Sequence, residues 1–534
     1  MTIVPFPEWL PDQPDFASAG APVIKNCVPA TKGSYGPMPT PQPYSTNTLD
    51  DRCQGSYVIR DATGAPYVYA GDATKLYRMP PADNAFADVS RTTGGAYTTP
   101  SPGAGGFWSM TAFGNRVIAS NYTDPIQSML LTGTNFADLS PDAPKAKYVT
   151  VVKDFVFAAN IFSSVDGAVP WRVHWSGLGQ PDQWPTPGSV TALQLQSDYQ
   201  DLQQQDLGAI TGMAAGFLGA SDVAIFCENG LWGGNYVGPP ILFSFRVIAG
   251  APGTLSPLSI VPGRMRTAAG SAAQVAMYLS ESGFQAFDGA VAVPFGAGKF
   301  DREFFRELNG KWIGYVQGVS DPGSNLVYWA FASETSTDGL FDRLLVYNWD
   351  LARAVICELE NPGLAPQHSE WLTRGLFNNN DYTIDTIDHL GDLDTVQPPF
   401  DDPFWAGTTA GRLTTFAPDH RLHTWVGPAM APVLDLPETQ PFPGRRAWVT
   451  NARPLIDGGD TEAHGDPATV QVGARERLSQ PVVWSAQIPV NILGDCPQRT
   501  TGRYVRLRFA MARGVAFQAL QGLDVDIVPE GKLR

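Results

Sequence analysis

One phrase recurs along the chain and limits what it can fold into. VAMYLSESGFQAFDGAVAVPF, from Val275 to Phe295, sets a short alternating apolar run before a polar turn ending in glycine, then an aromatic pair. VAIFCENGLWGGNYVG, from Val223 to Gly238, repeats it, and PYVYAGDATKLYRM, from Pro66 to Met79, is a weaker copy. Four or five alternating residues make one strand. Ser-Glu-Ser-Gly or Glu-Asn-Gly supplies a tight turn in which Gly takes a positive φ. The aromatic and apolar residues that follow, Phe284 with Phe287 or Leu231 with Trp232, return to the core. Each copy therefore reads as a β-hairpin. The two stronger copies lie about 50 residues apart, inside the period of propeller blades. The expectation is an all-β fold with a β-propeller; an unrelated sandwich with similar hairpins is the alternative.

Further strand-like runs, among them NRVIASNY (115–122), KYVTVVKDFVFAAN (147–160), ILFSFRVI (241–248), NLVYWAF (325–331) and RLLVYNW (343–349), alternate with turns at the same short intervals. The expected organisation is an extended N-terminal arm over 1–55, a β-propeller over 56–430 and a C-terminal β-sandwich-like domain over 431–534. In the arm, GSYGPMPTPQPYSTN carries prolines that forbid helix and central strand. Phe6, Trp9, Phe16, Val23 and Ile24 are too apolar for a free tail, so the arm is expected to lie pinned along a surface. The Gln-rich stretch Thr191 to Met213 reads as a short helix or an ordered loop between blades. DREFFRELNGKW (301–312) reads as a helix with Asp301 as N-cap and Gly310 as its stop. The Asp-dense stretch 376–404 reads as a surface loop. In the C-terminal region Tyr504 to Phe509 and Leu523 to Ile527 alternate cleanly, which places Arg503, Arg506 and Arg508 on the wet face of a strand.

Charge narrows the choice of partner. Lys and Arg number 36 against 52 Asp and Glu, a net charge of −16. Duplex affinity rests on neutralising phosphates with basic side chains, so a dedicated duplex binder is disfavoured. The five cysteines, Cys27, Cys53, Cys227, Cys357 and Cys496, are odd in number and form no C-x-x-C. They read as reduced thiols of a reducing compartment, with a Cys27–Cys53 pair left open by spacing. MTIVPFPEWLPDQ has neither the basic region nor the apolar core of a secretory signal, and no apolar run approaches a membrane span.

Chemistry-bearing patterns are sparse. Of the histidines His174, His368, His389, His420, His423 and His464, only His420 and His423 are close in sequence, and no third metal ligand stands beside them. Asp385, Asp388, Asp392 and Asp394 do not fit an EF-hand loop. AGAPGTLSP (249–257) and AGGF (104–107) lack the Gly-Lys-Ser/Thr ending of a phosphate loop. Propeller glycosidases set two carboxylates at a defined separation, and Asp288, Asp301 and Asp342 are the residues to test for that. The expectation is no enzyme: no catalytic, cofactor-binding or metal-binding residues and no cofactor.

Taken in order, several phrases resemble the tail nozzle proteins of short-tailed bacteriophages, also called tail accessory or DNA stabilisation proteins. They are PEWLPD near the start with NCVP at 26–29, WRVHWSGLGQPDQW (171–184), LQLQSDYQDLQQQDLGAITG (193–212), and IFCENGLWGGNYVGPP (225–240) with FSFRVI. YLSESGFQAFDG (278–289), FGAGKFDREF (295–304), DRLLVYNWD (342–350) and GLDVDIVPEG (522–531) follow. The resemblance implies a structural virion protein of the phage tail, assembled in the host cytoplasm. It implies a homohexameric ring beneath the portal and its adaptor, which closes the channel after packaging and conducts double-stranded DNA at ejection without binding it specifically. Tail spikes, fibres or a needle would be further partners, and no membrane. The alternative is a β-propeller interaction or receptor-binding module, with a propeller glycosidase behind it.

Overall fold

The computed structural model of this chain describes residues 2–16, 18–81, 83–204, 206–216, 218–266, 272–359, 368–373, 413–458 and 468–532. The acidic stretch 376–404, with Asp385, Asp388, Asp392, Asp394 and His389, lies outside the described residues, as does His464.

The architecture is almost entirely β. Small antiparallel sheets of four strands follow one another along the chain: unit I over 55–88, II over 109–138, III over 145–201, IV over 210–248, V over 261–294 and VI over 317–358. Unit VII takes three strands, Trp371–Thr373, Thr414–Phe416 and Leu422–Ala429, from the chain that follows, and its fourth, Pro39–Pro43, from the N-terminal arm. All three copies of the recurring phrase are the hairpin between the second and third strands of a unit, in I, IV and V. The turns differ in what they ask of glycine. Gly283 sits at φ +115°, as a tight turn requires. Gly230 does not need a positive φ; it needs space, since a Cβ there would stand 2.5 Å from the Leu207 side chain. In unit I a side chain replaces glycine: Asp72 Oδ1 accepts from the Thr74 and Lys75 N–H groups at 2.7 Å each.

First strands link most neighbouring units. Unit I touches II, II touches III, and III touches IV. Between IV and VI the short 3-10 turn Pro257–Ser259 makes the contact alongside the first strand of V. Unit VI touches VII, and VII touches I, so the circuit of contacts returns to its start. Second strands are buried on both faces: Val223–Cys227 and Leu326–Phe331 are buried at every position. Val, Ile, Leu and aromatic runs at those positions suit a strand covered on both sides.

The prolines of the arm fit the place they occupy. In a strand, alternate N–H groups point to the same side. Tyr44 donates its N–H to the Leu422 carbonyl at 2.8 Å, which turns the even-numbered residues inward. Pro39, Pro41 and Pro43 therefore direct their missing donors to the open edge, where no ladder bond is lost. Upstream, the two-residue strand Ile24–Lys25 lies between two others. It runs parallel to unit VI at Ile356 and antiparallel to Val433–Asp435 of the C-terminal region. The sheet of unit VI thereby continues through the arm into Tyr504–Met511 and Ala468–Arg475, ten strands in all. A second sheet of six strands combines Arg445–Asp457, Ala519–Lys532 and Cys496–Gly502 with Thr2–Pro5, Cys27–Thr31 and Ser34–Pro37 from the arm. Ala447, Val449, Leu523 and Val525 from this sheet share a buried cluster with Val470, Val472, Leu507 and Phe509 from the other.

The arm packs against its own chain. Trp9 is 2% exposed and stacks on Phe300 with ring centroids 6.1 Å apart; Phe6 packs on Phe509 at 5.8 Å. The helix Asp301–Glu307 is present, but Asp301 is its first residue and does not cap it. The cap comes from the arm: Asp12 accepts from the Arg302 and Glu303 N–H groups at 2.9 and 3.0 Å. Gly310 does not stop this helix, which ends at Leu308; it begins a 3-10 turn, Gly310–Tyr315. The Gln-rich stretch contains one short helix, Val190–Leu195.

Candidate interaction site

All seven units contribute to a cavity of about 580 Å³. Tyr57 and Met110 line it from units I and II, Thr150 and Val151 from III, Met213 from IV, Ile260 from the approach to V, Val319 from VI and Thr373 from VII. Every lining residue is uncharged. Gln317, which reaches the same wall, is spent on structure: its side-chain amide donates to the Leu372 carbonyl at 2.7 Å, and its oxygen accepts from the Leu372 N–H at 2.8 Å. That pair ties unit VI to unit VII.

The carboxylates singled out as a glycosidase pair are each used locally. Asp288 closes a turn, accepting from the Ala290 and Val291 N–H groups at 2.8 Å each. Asp342 accepts from the Ser333 N–H at 2.7 Å and its hydroxyl at 2.5 Å, with Arg343 at 3.3 Å. Asp301 is buried beside Gly283 and Gly296, with its Oδ1 3.3 Å from the Phe284 N–H and its Oδ2 without a partner. Burial, and then the Asp12 carboxylate, push its pKa up to about 6. Asp301 meets the start of strand Gly283–Phe287 and Asp288 follows its end. A strand of that length separates them by roughly 14 Å, beyond the reach of either glycosidase geometry.

The histidines are likewise apart in their roles. His420 Nδ1 stands 2.8 Å from buried Glu370, whose pKa burial raises and His420 partly lowers again. His423 pairs with Asp419 at 3.1 Å. His174 is buried edge-on to Trp184, and burial together with Arg172 lowers its pKa to about 4. Among the described residues no group of three or more His, Cys, Asp or Glu could hold a metal ion. All five cysteines are buried and none is in a disulfide, so Cys27 and Cys53 do not pair.

The reading of Arg506 and Arg508 as a wet face is corrected. Strand Val433–Asp435 lies beside theirs, with Asp435 opposite Arg508. Asp435 is fully buried and takes Arg506 at 2.5 Å and Arg508 at 2.7 Å. Trp484 covers both guanidinium groups, with Arg508 4.3 Å from its ring centroid. Glu438, also buried, pairs with Arg475 at 2.7 Å. Two arginines two apart on one strand face could have pointed to a shared carboxylate; nothing local to Asp435 or Glu438 marks them.

The C-terminal region also carries an outward apolar face. Trp448 and Val528 are cross-strand neighbours, each 40% exposed. Thr501, opposite Trp448 on the other side, borders a cleft of about 450 Å³ lined by Trp484, Val483, Pro481 and Arg475. An aromatic and aliphatic face beside a cleft has the composition of a partner-contact surface.

No known family model matches the chain, and no curated protein matches it. Among solved structures it is similar to YCF48 bound to a D1 peptide, at 10% identity over 73% of this chain and 97% of that one, with a TM-score of 0.36. YCF48 from Cyanidioschyzon merolae is similar at 8% identity, covering 72% and 98%, with a TM-score of 0.35. Apo AztD from Citrobacter koseri is similar at 12% identity, covering 57% and 86%, with a TM-score of 0.26. Likenesses this loose carry nothing about function.

Proposed function

We propose that the chain folds as a seven-bladed β-propeller fused to a β-sandwich and works as a non-catalytic scaffold that holds protein partners. The observation that supports this best is the character of the cavity shared by all seven units. Acid–base, nucleophilic or metal chemistry needs titratable groups brought together. This cavity presents hydroxyls, thioethers and aromatic faces, while the carboxylates considered for catalysis are engaged in turns or buried at a helix start. The Trp448–Val528 face and its cleft offer the kind of surface a protein partner covers.

Within that class, a second reading places the chain in the tail nozzle of a short-tailed phage, as a homohexamer between the adaptor and the spikes, fibres or needle. The ordered phrases of the sequence favour it, and so does the placement of charge. Residues 1–430 hold 24 Lys and Arg against 41 Asp and Glu, whereas residues 431–534 hold 12 against 11. A conduit for DNA is served by an acidic wall that does not grip phosphates.

Light scattering and negative-stain imaging of the purified chain, alone and mixed with portal–adaptor complexes, test both readings. Sixfold rings seated on the adaptor are the result expected of a nozzle. A protein that stays monomeric and ignores the adaptor overturns the nozzle and leaves the scaffold. Turnover of a glycoside substrate, abolished by Asp301→Asn or Asp342→Asn, overturns the scaffold.

A further inference from the structure

We infer that the rim shared by units III and IV docks a partner-protein segment with apolar side chains flanked by Lys or Arg. Between its third and fourth strands unit III inserts residues 176–197, the stretch that contains helix Val190–Leu195. The Ser189 hydroxyl accepts from the Ala192 N–H at 3.1 Å and holds the first turn. Of the helix's own residues only Ala192 is buried. Val190 and Leu193, three apart and so on one face, are each 71% exposed. In unit IV the hairpin between the third and fourth strands presents Val237 and Ile241, 54% and 67% exposed. These two apolar pairs flank a fixed junction. The Tyr236 hydroxyl lies 3.0 Å from Gln196 Oε1, and the Gln196 carbonyl accepts from Trp175 Nε1 at 3.1 Å. Scattered single apolar side chains on a surface need no explanation. Two pairs on adjacent units, braced by a buried tryptophan, form a prepared surface of the kind partners cover.

Charge names the occupant. Asp154, Asp182 and Asp198 are exposed around this rim, and the Asp154 carbonyl accepts from the Gly179 N–H at 2.8 Å within the inserted stretch. Lys153, the adjacent cation, is already paired with Asp222 at 2.8 Å. An apolar strip bordered by carboxylates is complementary to an amphipathic segment bordered by cations. The inference rests on the scaffold reading and is independent of ring assembly.

The test uses the full chain and a fluorescein-labelled amphipathic Leu/Lys helix peptide, read by anisotropy, with a Leu/Glu peptide of the same pattern as control. Saturable binding of the Leu/Lys peptide is expected, weakened about tenfold or more by Val190→Ser combined with Leu193→Ser. Asp154→Asn with Asp182→Asn should weaken it further and flatten its salt dependence. All four positions are exposed, and an unchanged thermal melt separates lost docking from lost fold. No saturable binding, equal binding of the Leu/Glu peptide, or equal binding by the variants overturns the inference. So does a variant whose only change is a smaller assembly by light scattering, which makes the rim a contact between copies. None of these outcomes touches the adaptor and turnover tests of the scaffold.

Discussion

The seven-unit circuit and the two sheets of the C-terminal region solve the same problem, holding strands in register, with different means. In the circuit, the carboxylates of several turns act close to home. Asp61 serves Thr63 and Ala65, Asp72 serves Thr74 and Lys75, and Asp288 serves Ala290 and Val291. In the C-terminal sheets carboxylates act far along the chain: Asp435 reaches Arg506 and Arg508, 71 and 73 residues on, and Asp15 stands beside Arg506 across 491 residues. The circuit repeats one hairpin, so a local turn sets its register. The C-terminal sheets gather strands from residues 2–37 and 433–532, and no turn can specify those pairings. A buried carboxylate that only two particular guanidinium groups can satisfy does so, because a slipped strand strands its charge. The charge count follows the same division, with the acidity in residues 1–430 and near balance after them.

The sharpest way to break the contrast is to remove what both regions share. Deleting residues 2–43 takes the fourth strand from unit VII and three strands from the six-stranded sheet. We expect loss of soluble, cooperatively folding protein, read by sedimentation and circular dichroism. Asp435→Ala should strike the C-terminal sheets, leaving two guanidinium groups without their buried partner at a cost of about 3–5 kcal/mol in denaturant titrations. Hydrogen exchange should rise in Tyr504–Met511 before it rises in units II to IV; a uniform rise breaks the comparison. Trp9→Ala empties the stack on Phe300 and should cost about 3 kcal/mol, with protease sensitivity appearing first in the arm.

Asp301→Asn probes the seam by pH. The native carboxyl keeps its proton up to about pH 6, against an ordinary value of 3.8. The stabilisation this represents is complete below about pH 4 and is lost as pH rises through 6. The variant should therefore match wild type at low pH and exceed it well above pH 6 by up to about 3 kcal/mol. Equal pH profiles would falsify the buried-carboxyl reading. Asp12→Ala removes the cap that the arm lends to helix Asp301–Glu307 and should cost about 1 kcal/mol, the smallest effect of the series.

What could be read in the sequence divides along the same line. The hairpins of units I, IV and V were legible because strand, turn and returning aromatics sit within twenty residues of one another. The turn glycines were legible only in kind: Gly283 answers a dihedral angle, while Gly230 answers the Leu207 side chain, which no local pattern shows. The prolines at 39, 41 and 43 correctly excluded a central strand, but their spacing suits an edge strand whose partner lies in Leu422–Ala429. Asp301 carried the local signature of a cap, yet the carboxylate that caps the helix is Asp12. Arg506 and Arg508 alternate as solvent-facing residues do, and only the neighbouring strand makes their face an interior. The uncharged cavity was invisible because each unit contributes only a few residues to it.

The strand that completes unit VII carries a schedule with it. The Thr40 hydroxyl donates to the carbonyl of Pro428, 388 residues further along. At a translation rate of about 5–20 residues per second, the proline strand waits roughly 20–80 s for the edge it completes. Units I to VI emerge meanwhile, each able to form its own hairpins but none able to close the circuit. The last unit to be made is finished by a segment made before the other six, so closure is a late event, and a nascent chain stalled before Leu422 presents an open edge to whatever chaperone or aggregate meets it.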